Sequence, residues 1–447
     1  MRGILLTAIV GLLLLTVFKH PVMGAYLWAW LSLMTPQKLA YGFAFNFAFA
    51  QITAIVLLIA FVFTRKRQPL PIIGITMVLF AMLVWMSITS LVAITPQDRV
   101  IERWIFVMKI QLMLLVTWML VLDAKQLRIL VWVVTLSVAF FGIKGGIWTV
   151  FTGGGGRVWG PPGGLLQGNN ELAVGLVMLV PMMYFLYQTE SRRWLRYALM
   201  GSMVAMMFAI LGSQSRGALV AMLAMAFFLG IKGKHPVGTS LGLLVLVALV
   251  IGFMPDEWTT RMRTINQYEL DGSALSRLWT WQTLRTVAVD RPLFGPGFRA
   301  DDAHAFARYA PLHGDYAIFE GAVFVAHSIY FQMLGEHGFV GLGLFLLLGL
   351  VAWRTAGRLA RESKDDPEYG PWMPMLMRMV QVSMVGYAAG GAFLSLAYLD
   401  LPYYIMGFVV TCHALMQRRR QAAAAAARSP GAAPASPALA GQRTALK

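Results

Sequence analysis

The chain has 447 residues, 58% of them hydrophobic and 13% charged, with a formal net charge of +17. A water-soluble domain carries roughly 25% charged residues, so a soluble globular protein is excluded; a lone cysteine, Cys412, excludes an intrachain disulfide and a cysteine metal site. The basic surplus would suit a nucleic-acid binder, but it sits in short segments between apolar runs and in the tail, where membrane proteins carry it.

Apolar runs recur near 4–18, 22–34, 44–63, 70–91, 104–122, 126–150, 170–187, 194–212, 217–231, 236–254, 338–353, 374–397 and 403–416. A helix needs about 20 such residues to cross roughly 30 Å of hydrocarbon, and the short alternating strands of a membrane β-barrel are missing. The expected fold is all-α: a polytopic integral membrane protein with about 12 (12–13) transmembrane helices and one large loop carrying short helices. Residues 1–254 would hold the N-terminal helices, 255–337 the loop, 338–416 the C-terminal helices, and 417–447 a disordered Ala/Pro/Ser-rich cytoplasmic tail. The first two runs are short and broken by FKHP, so they read as two thin helices or as one broken crossing. No small-x-small site precedes the next apolar stretch, and the first run is read as an uncleaved anchor.

Basic clusters set the sidedness. TRKRQ (64–68), DAKQLR (123–128), ESRRWLR (190–196), KGKH (232–235), RTAGRLARESK (354–364) and RRR (418–420) share one side if the later spans alternate, and that side should be cytoplasmic. The other side receives TPQDRVIER (95–103), TGGGGRVWGPPGGLLQGNN (152–170), GSQSRG (212–217), the 255–337 segment and YLDLP (398–402). The glycine-rich stretch is no P-loop, because no GK[ST] follows it. Asn170 is expected to cap the next helix.

Between Pro255 and Val325 there are seven arginines, no lysine and nine acidic residues. An all-arginine set suits bidentate recognition of phosphate or carboxylate; a GC-rich genome would give the same bias. DGSALSRLWTWQTLRTVAVDRP (271–292) reads as an amphipathic helix capped by Ser273 and stopped by Pro292, with Arg277, Trp281 and Arg285 on one face. Its tryptophans favour a position flat on the membrane surface. FGPGF (294–298) should form a tight turn.

Three residues stand out chemically. Arg216 opens an apolar span, where it is either an interfacial snorkelling anchor or an anion site; Gly217 beside it leaves room for a ligand. Arg277 is either an exposed helix residue or a partner in the same anion pocket. His327 sits at the mouth of an apolar stretch, as an interfacial hydrogen-bonder or as a general base for a hydroxyl. Glu336 is nine residues from His327, which on one continuous helix is half a turn out of phase, so the two should not pair. Gly335 and Gly338 bracket Glu336, and the helix can break there. His337 in GEHG reads as exposed, and it and Glu336 are assigned to a turn. His304 and His313 lack metal-like spacing.

HSIYFQMLGEHGFVG resembles the His-[Asn/Ser/Gln], nine residues, Gly, two residues, [Gly/Thr/Tyr] pattern of bacterial O-antigen ligases and bacterial protein O-oligosaccharyltransferases, carried here by His327, Ser328, Gly338 and Gly341. SQSRGAL (213–219) and SALSRLWTW (273–281) resemble their arginine-bearing segments. More narrowly, AYGFAFNFAFAQ, GIKGGIWTVFTGGGGRVWGPPGG, NNELAVGLVMLVP and SRLWTWQTL resemble probable O-glycosylation ligases of exosortase A systems, over about residues 1–415. The resemblance implies an inner-membrane glycosyltransferase whose large loop is periplasmic, with a periplasm-facing site. It would move a glycan from undecaprenyl diphosphate to an acceptor hydroxyl on a protein or lipid, inverting and with no metal or other cofactor. It implies His327 as the catalytic base and Arg216 and Arg277 as diphosphate ligands, with membrane lipid but no nucleic acid among the partners. An O-antigen or exopolysaccharide polymerase shares the architecture. A transporter of lipid-linked glycans would show internal repeats and mid-membrane polar groups, which the sequence does not display.

Overall fold

The computed structural model describes residues 1–232, 272–312 and 314–428, with isolated positions at 238, 241, 242, 245, 248 and 252. Most of the expected 236–254 span, His313 and the end of the tail lie outside the described residues.

All described regular structure is helical. In chain order it comprises α1 (Arg2–Val17), α2 (Pro21–Met34), α3 (Phe49–Phe63), α4 (Gly74–Leu91), α5 (Gln97–Leu120), α6 (Ala124–Phe151), α7 (Asn169–Thr189), α8 (Arg193–Gly212) and α9 (Arg216–Lys232). After the gap come α10 (Gly272–Asp290), α11 (Ala303–Tyr309), α12 (Ile329–Glu362), α13 (Met373–Gly391) and α14 (Asp400–Arg428), with short 3-10 turns between. Among the described residues α4, α6, α7, α8 and α12 are long and apolar enough to cross a membrane by length and composition; α1, α2, α3 and the first part of α9 are shorter apolar helices. α1 and α2 fold back as a hairpin, Leu6 and Val10 packing on Leu27 and Leu31. The last helix runs on to Arg428, through the first part of the segment read as a tail.

α7 is the hub. Nearly every residue from Leu172 to Leu186 is buried, against α6, α8, α9 and α13. Small residues set these approaches: a Cβ on Gly146 would fall 1.8 Å from the Ala205 carbonyl oxygen, so α6 and α8 touch through backbone. Gly390 on α13 leaves room instead for the Val174 side chain of α7, 2.6 Å from where a Cβ would stand.

The two ends of the bundle differ in chemistry. One gathers the basic clusters: Arg128 reaches the Thr189 carbonyl and Glu190, while Arg419 and Arg420 pair with Asp366, Glu368 and Glu362. The other gathers the loops rich in Gly, Ser and Asn, with α10 and α11 folded over them. Arg99 at the start of α5 holds Asp302, the α11 cap, at 2.8 Å. The Ile94 amide donates to the Pro296 carbonyl at 3.0 Å.

α12 starts at Ile329, earlier than the span expected at 338, and it is broken. Gly338 has φ 66° and ψ −169°, outside helical space and in a region that glycine alone adopts without strain. The groups freed by the break are re-satisfied from the 292–298 turn, which contains FGPGF, and from α4. Phe339 N–H donates to the Pro292 carbonyl at 2.8 Å, Gly297 N–H to Glu336 C=O at 3.1 Å, and the Trp85 indole N–H to His337 C=O at 3.1 Å. The turn is a wedge seated in the helix break.

Candidate active site

His327 lies outside the helix, two residues before it, with φ 47°. A left-handed backbone at a non-glycine residue costs of order 1–3 kcal/mol and persists only where neighbours enforce it. Three contacts do so here. His327 N–H donates to Ser395 Oγ at 2.8 Å; Ala326 C=O accepts the Trp281 indole N–H at 2.7 Å; Ser328 caps α12 by accepting from Phe331 N–H at 3.4 Å. Trp281 also stacks on Phe331, ring centroids 5.0 Å apart and planes 5° apart. The motif serine is therefore a helix cap, and the histidine is held clear of the helix axis.

Trp281 fixes α10, and Arg277 stands one turn before it on the same face. Burial first, and the Arg277 guanidinium second, hold the His327 imidazole below its ordinary range. The neutral, proton-accepting form therefore prevails near neutrality. Arg277 also acts on Glu171 in the first turn of α7. Arg285, expected on the same face, is exposed. The α10 tryptophans also pack within the protein: Trp279 is 1% exposed and donates to the Pro311 carbonyl at 2.8 Å. The side chain of Ser273, expected to cap α10, lies outside the described residues.

Arg216 opens α9 as expected. Asn169 Nδ2 donates to the Ser213 carbonyl at 2.8 Å, tying the start of α7 to GSQSRG. The α7 cap is Gly168 rather than Asn170, because Asn169 already begins the helix. Gly217 faces Phe393, a Cβ there lying 3.3 Å away. Phe393 and Ser395 belong to one short connection between α13 and α14, so that connection touches the Arg216 segment with one residue and the His327 backbone with another.

The largest departure from the sequence reading is at Glu336 and His337. His337 is 0% exposed, not solvent-facing, because the break at Gly338 turns it into the bundle. Its Nδ1 lies 2.7 Å from Thr89 Oγ1 on α4 and its Nε2 2.8 Å from the Tyr398 hydroxyl. The Tyr398 hydroxyl also hydrogen-bonds Glu336 Oε2, and Glu336 Oε1 accepts the Arg299 N–H at 3.1 Å. Glu336 thus belongs to a buried polar chain, not to a turn, and does not pair with His327. A cavity of about 170 Å³ adjoins it, walled by Arg103, Arg299, Asp301, Gln332, Glu336 and Ser395 among others. Arg103, Arg299 and Tyr398 carried no signal for this role in the sequence beyond lying in segments assigned to the same side. Among the described residues no group of His, Cys, Asp and Glu is arranged to hold a metal ion.

The comparisons bear on these segments separately. Residues 1–191 match a family of unknown function (DUF5935). Residues 201–346 match the O-antigen ligase family. No curated protein matches the chain. The second match spans Arg216, Arg277, His327 and the broken start of α12, and over those residues it supports a likeness to the O-antigen ligase family.

Proposed function

We propose that the chain transfers a glycan from undecaprenyl diphosphate to an acceptor hydroxyl on the periplasmic face of the inner membrane, as an O-glycosylation ligase of the exosortase A-associated type. The observation that carries this reading is the placement of His327: left-handed backbone, pinned by Ser395 and Trp281, its imidazole kept neutral beside Arg277. In the reaction the acceptor O–H proton passes to His327 while the acceptor oxygen attacks the anomeric carbon from the face opposite the diphosphate. The bond from that carbon to the diphosphate oxygen breaks with inversion. Arg216 and Arg277 hold the negative charge that collects on the departing diphosphate, the electrostatic work a metal ion performs elsewhere.

A lipid donor fits the surroundings. An apolar groove of about 430 Å³ starts at Ile329 and Tyr330, just past His327, and runs by Phe345 and Leu348 to Trp353. The test is His327→Ala in a strain lacking the native gene, with mass spectrometry of protein, lipid and polymer glycoconjugates. Transfer should fall by about 10²- to 10⁴-fold, the usual contribution of a general base, with membrane insertion unchanged. Wild-type transfer by the variant refutes the assignment. The class of conjugate that disappears identifies the acceptor, and loss of polymer alone identifies a polymerase.

A further inference from the structure

The buried chain running from Thr89 through His337 and Tyr398 to Glu336 can be satisfied in two ways. In the first, the Thr89 hydroxyl donates to His337 Nδ1, His337 Nε2–H donates to the Tyr398 oxygen, and the Tyr398 hydroxyl donates to an ionised Glu336. In the second, a protonated Glu336 donates to Tyr398, Tyr398 donates to His337 Nε2, and His337 Nδ1–H donates to Thr89 Oγ1. The Thr89 hydroxyl then donates to the Met86 carbonyl, 3.0 Å away. Every donor along the chain finds an acceptor in either arrangement. They differ by one proton and by the direction of every bond, so the fold holds Glu336 charged or neutral without orphaning a buried group. Most buried carboxylates lack that freedom, because changing their protonation strands a partner.

The cavity beside Glu336 gives this freedom a use. Its charged walls are Arg103 from α5, Arg299 and Asp301 from the segment after α10, and Glu336 itself. The remaining neighbours are uncharged: Gln332 on α12, Ser395, and the apolar Leu284, Phe324, Val325 and Ala326. With Glu336 ionised, two positive charges face two negative ones. With Glu336 neutral, one positive charge is left over. An oxyanion in the cavity therefore favours the neutral acid, and the neutral acid favours the oxyanion.

We propose that this cavity is an oxyanion subsite, separate from Arg216 and Arg277, whose occupation is coupled to uptake of one proton by Glu336. The ligand is a phosphodiester or carboxylate group of a size that about 170 Å³ can hold. Two sources share that chemistry. Arg103 also lines an apolar groove of about 570 Å³ between α2, α3 and α5, which would bring a lipid-borne phosphate; an acidic sugar would bring a carboxylate. The subsite stands on its own geometry and does not depend on His327 being the base.

The experiment is calorimetric titration of the purified full-length chain in detergent, with buffers of different ionisation enthalpy. One probe is glucuronate and the other short-chain phosphatidylglycerol, neither of which changes its own charge near neutral pH. Wild type should take up about one proton on binding, and its affinity should fall as pH rises, by up to about tenfold per pH unit. Glu336→Gln, which mimics the neutral acid, should bind without proton uptake and with an affinity that no longer varies with pH. Arg103→Gln should weaken binding, while Arg216→Gln and His327→Ala should leave it and its proton count unchanged. Whichever probe binds tighter identifies the source. No saturable binding of either probe to wild type overturns the subsite. Proton uptake that persists in Glu336→Gln, or disappears in His327→Ala instead, overturns the coupling. Loss of transfer activity in His327→Ala with binding intact separates this subsite from the glycosyl-transfer reading.

Discussion

Gly338→Ala tests whether the break in α12 is built or incidental. At φ 66° and ψ −169° the residue occupies backbone space that costs an L-residue about 1–3 kcal/mol. The added Cβ would lie 2.4 Å from the Leu293 oxygen and 2.6 Å from the Pro292 oxygen. Those oxygens are backbone, and the Pro292 carbonyl is already committed to Phe339 N–H at 2.8 Å, so neither retreats easily. Overpacking of this kind costs about 1–3 kcal/mol more. The expected total is roughly 2–6 kcal/mol, a large share of a typical net stability of about 5–15 kcal/mol. The same helix supplies its own controls: a Cβ on Gly343 or Gly349 meets nothing within 4 Å. Alanine at either should be neutral or stabilising by up to about 1 kcal/mol through helix propensity. The assay is thermal unfolding of the detergent-purified chain, followed by tryptophan fluorescence. A Gly338→Ala melt indistinguishable from Gly343→Ala would refute the wedge-and-break account.

Three further outcomes follow from the site. Burial, and after it Arg277, depresses the His327 imidazole, so a transfer rate that depends on the neutral base is lost as pH falls through its pKa; Arg277→Gln should move that acid limb to higher pH in the kcat profile at saturating donor, and an unmoved limb would contradict the coupling. Trp281→Phe keeps the stack on Phe331 but removes the bond to Ala326 C=O, and should cost about 0.5–1.5 kcal/mol in unfolding measurements and lower kcat more than it raises donor KM, whereas Trp194→Phe at an exposed position should do neither. Arg216→Lys should reduce transfer by at least about tenfold, because lysine keeps the charge but not the two-pronged fork; full activity would show that Arg216 acts only as a point charge.

The apolar runs were legible because hydrocarbon demands length and composition, both of which survive in a linear reading. α4, α6, α7 and α8 lie close to the runs that predicted them. Positions at the site were legible where chemistry is local: Arg216 opens its helix, and Arg277 shares a face with Trp281. What stayed hidden depends on partners far along the chain. Nothing in GEHG reveals that His337 will meet Thr89 and Tyr398, 248 and 61 positions away. The glycines pointed to a break but not to its place; only Gly338 carries the non-helical backbone, while Gly335 stays helical with Leu284 packed on it. Asn170 missed as a cap by two residues, the usual uncertainty of helix ends.

The segment from Ser328 to Gly338 is fixed at both ends, by a cap at one and a wedge at the other. It therefore works as a ruler. A helix advances about 1.5 Å and turns about 100° per residue, so one residue inserted between the cap and the break would swing Glu336 through more than a quarter turn and pull His337 off Tyr398. Its length is therefore constrained independently of which side chains it carries. His327 and Glu336 are gauged against each other by counting residues, although the two never touch.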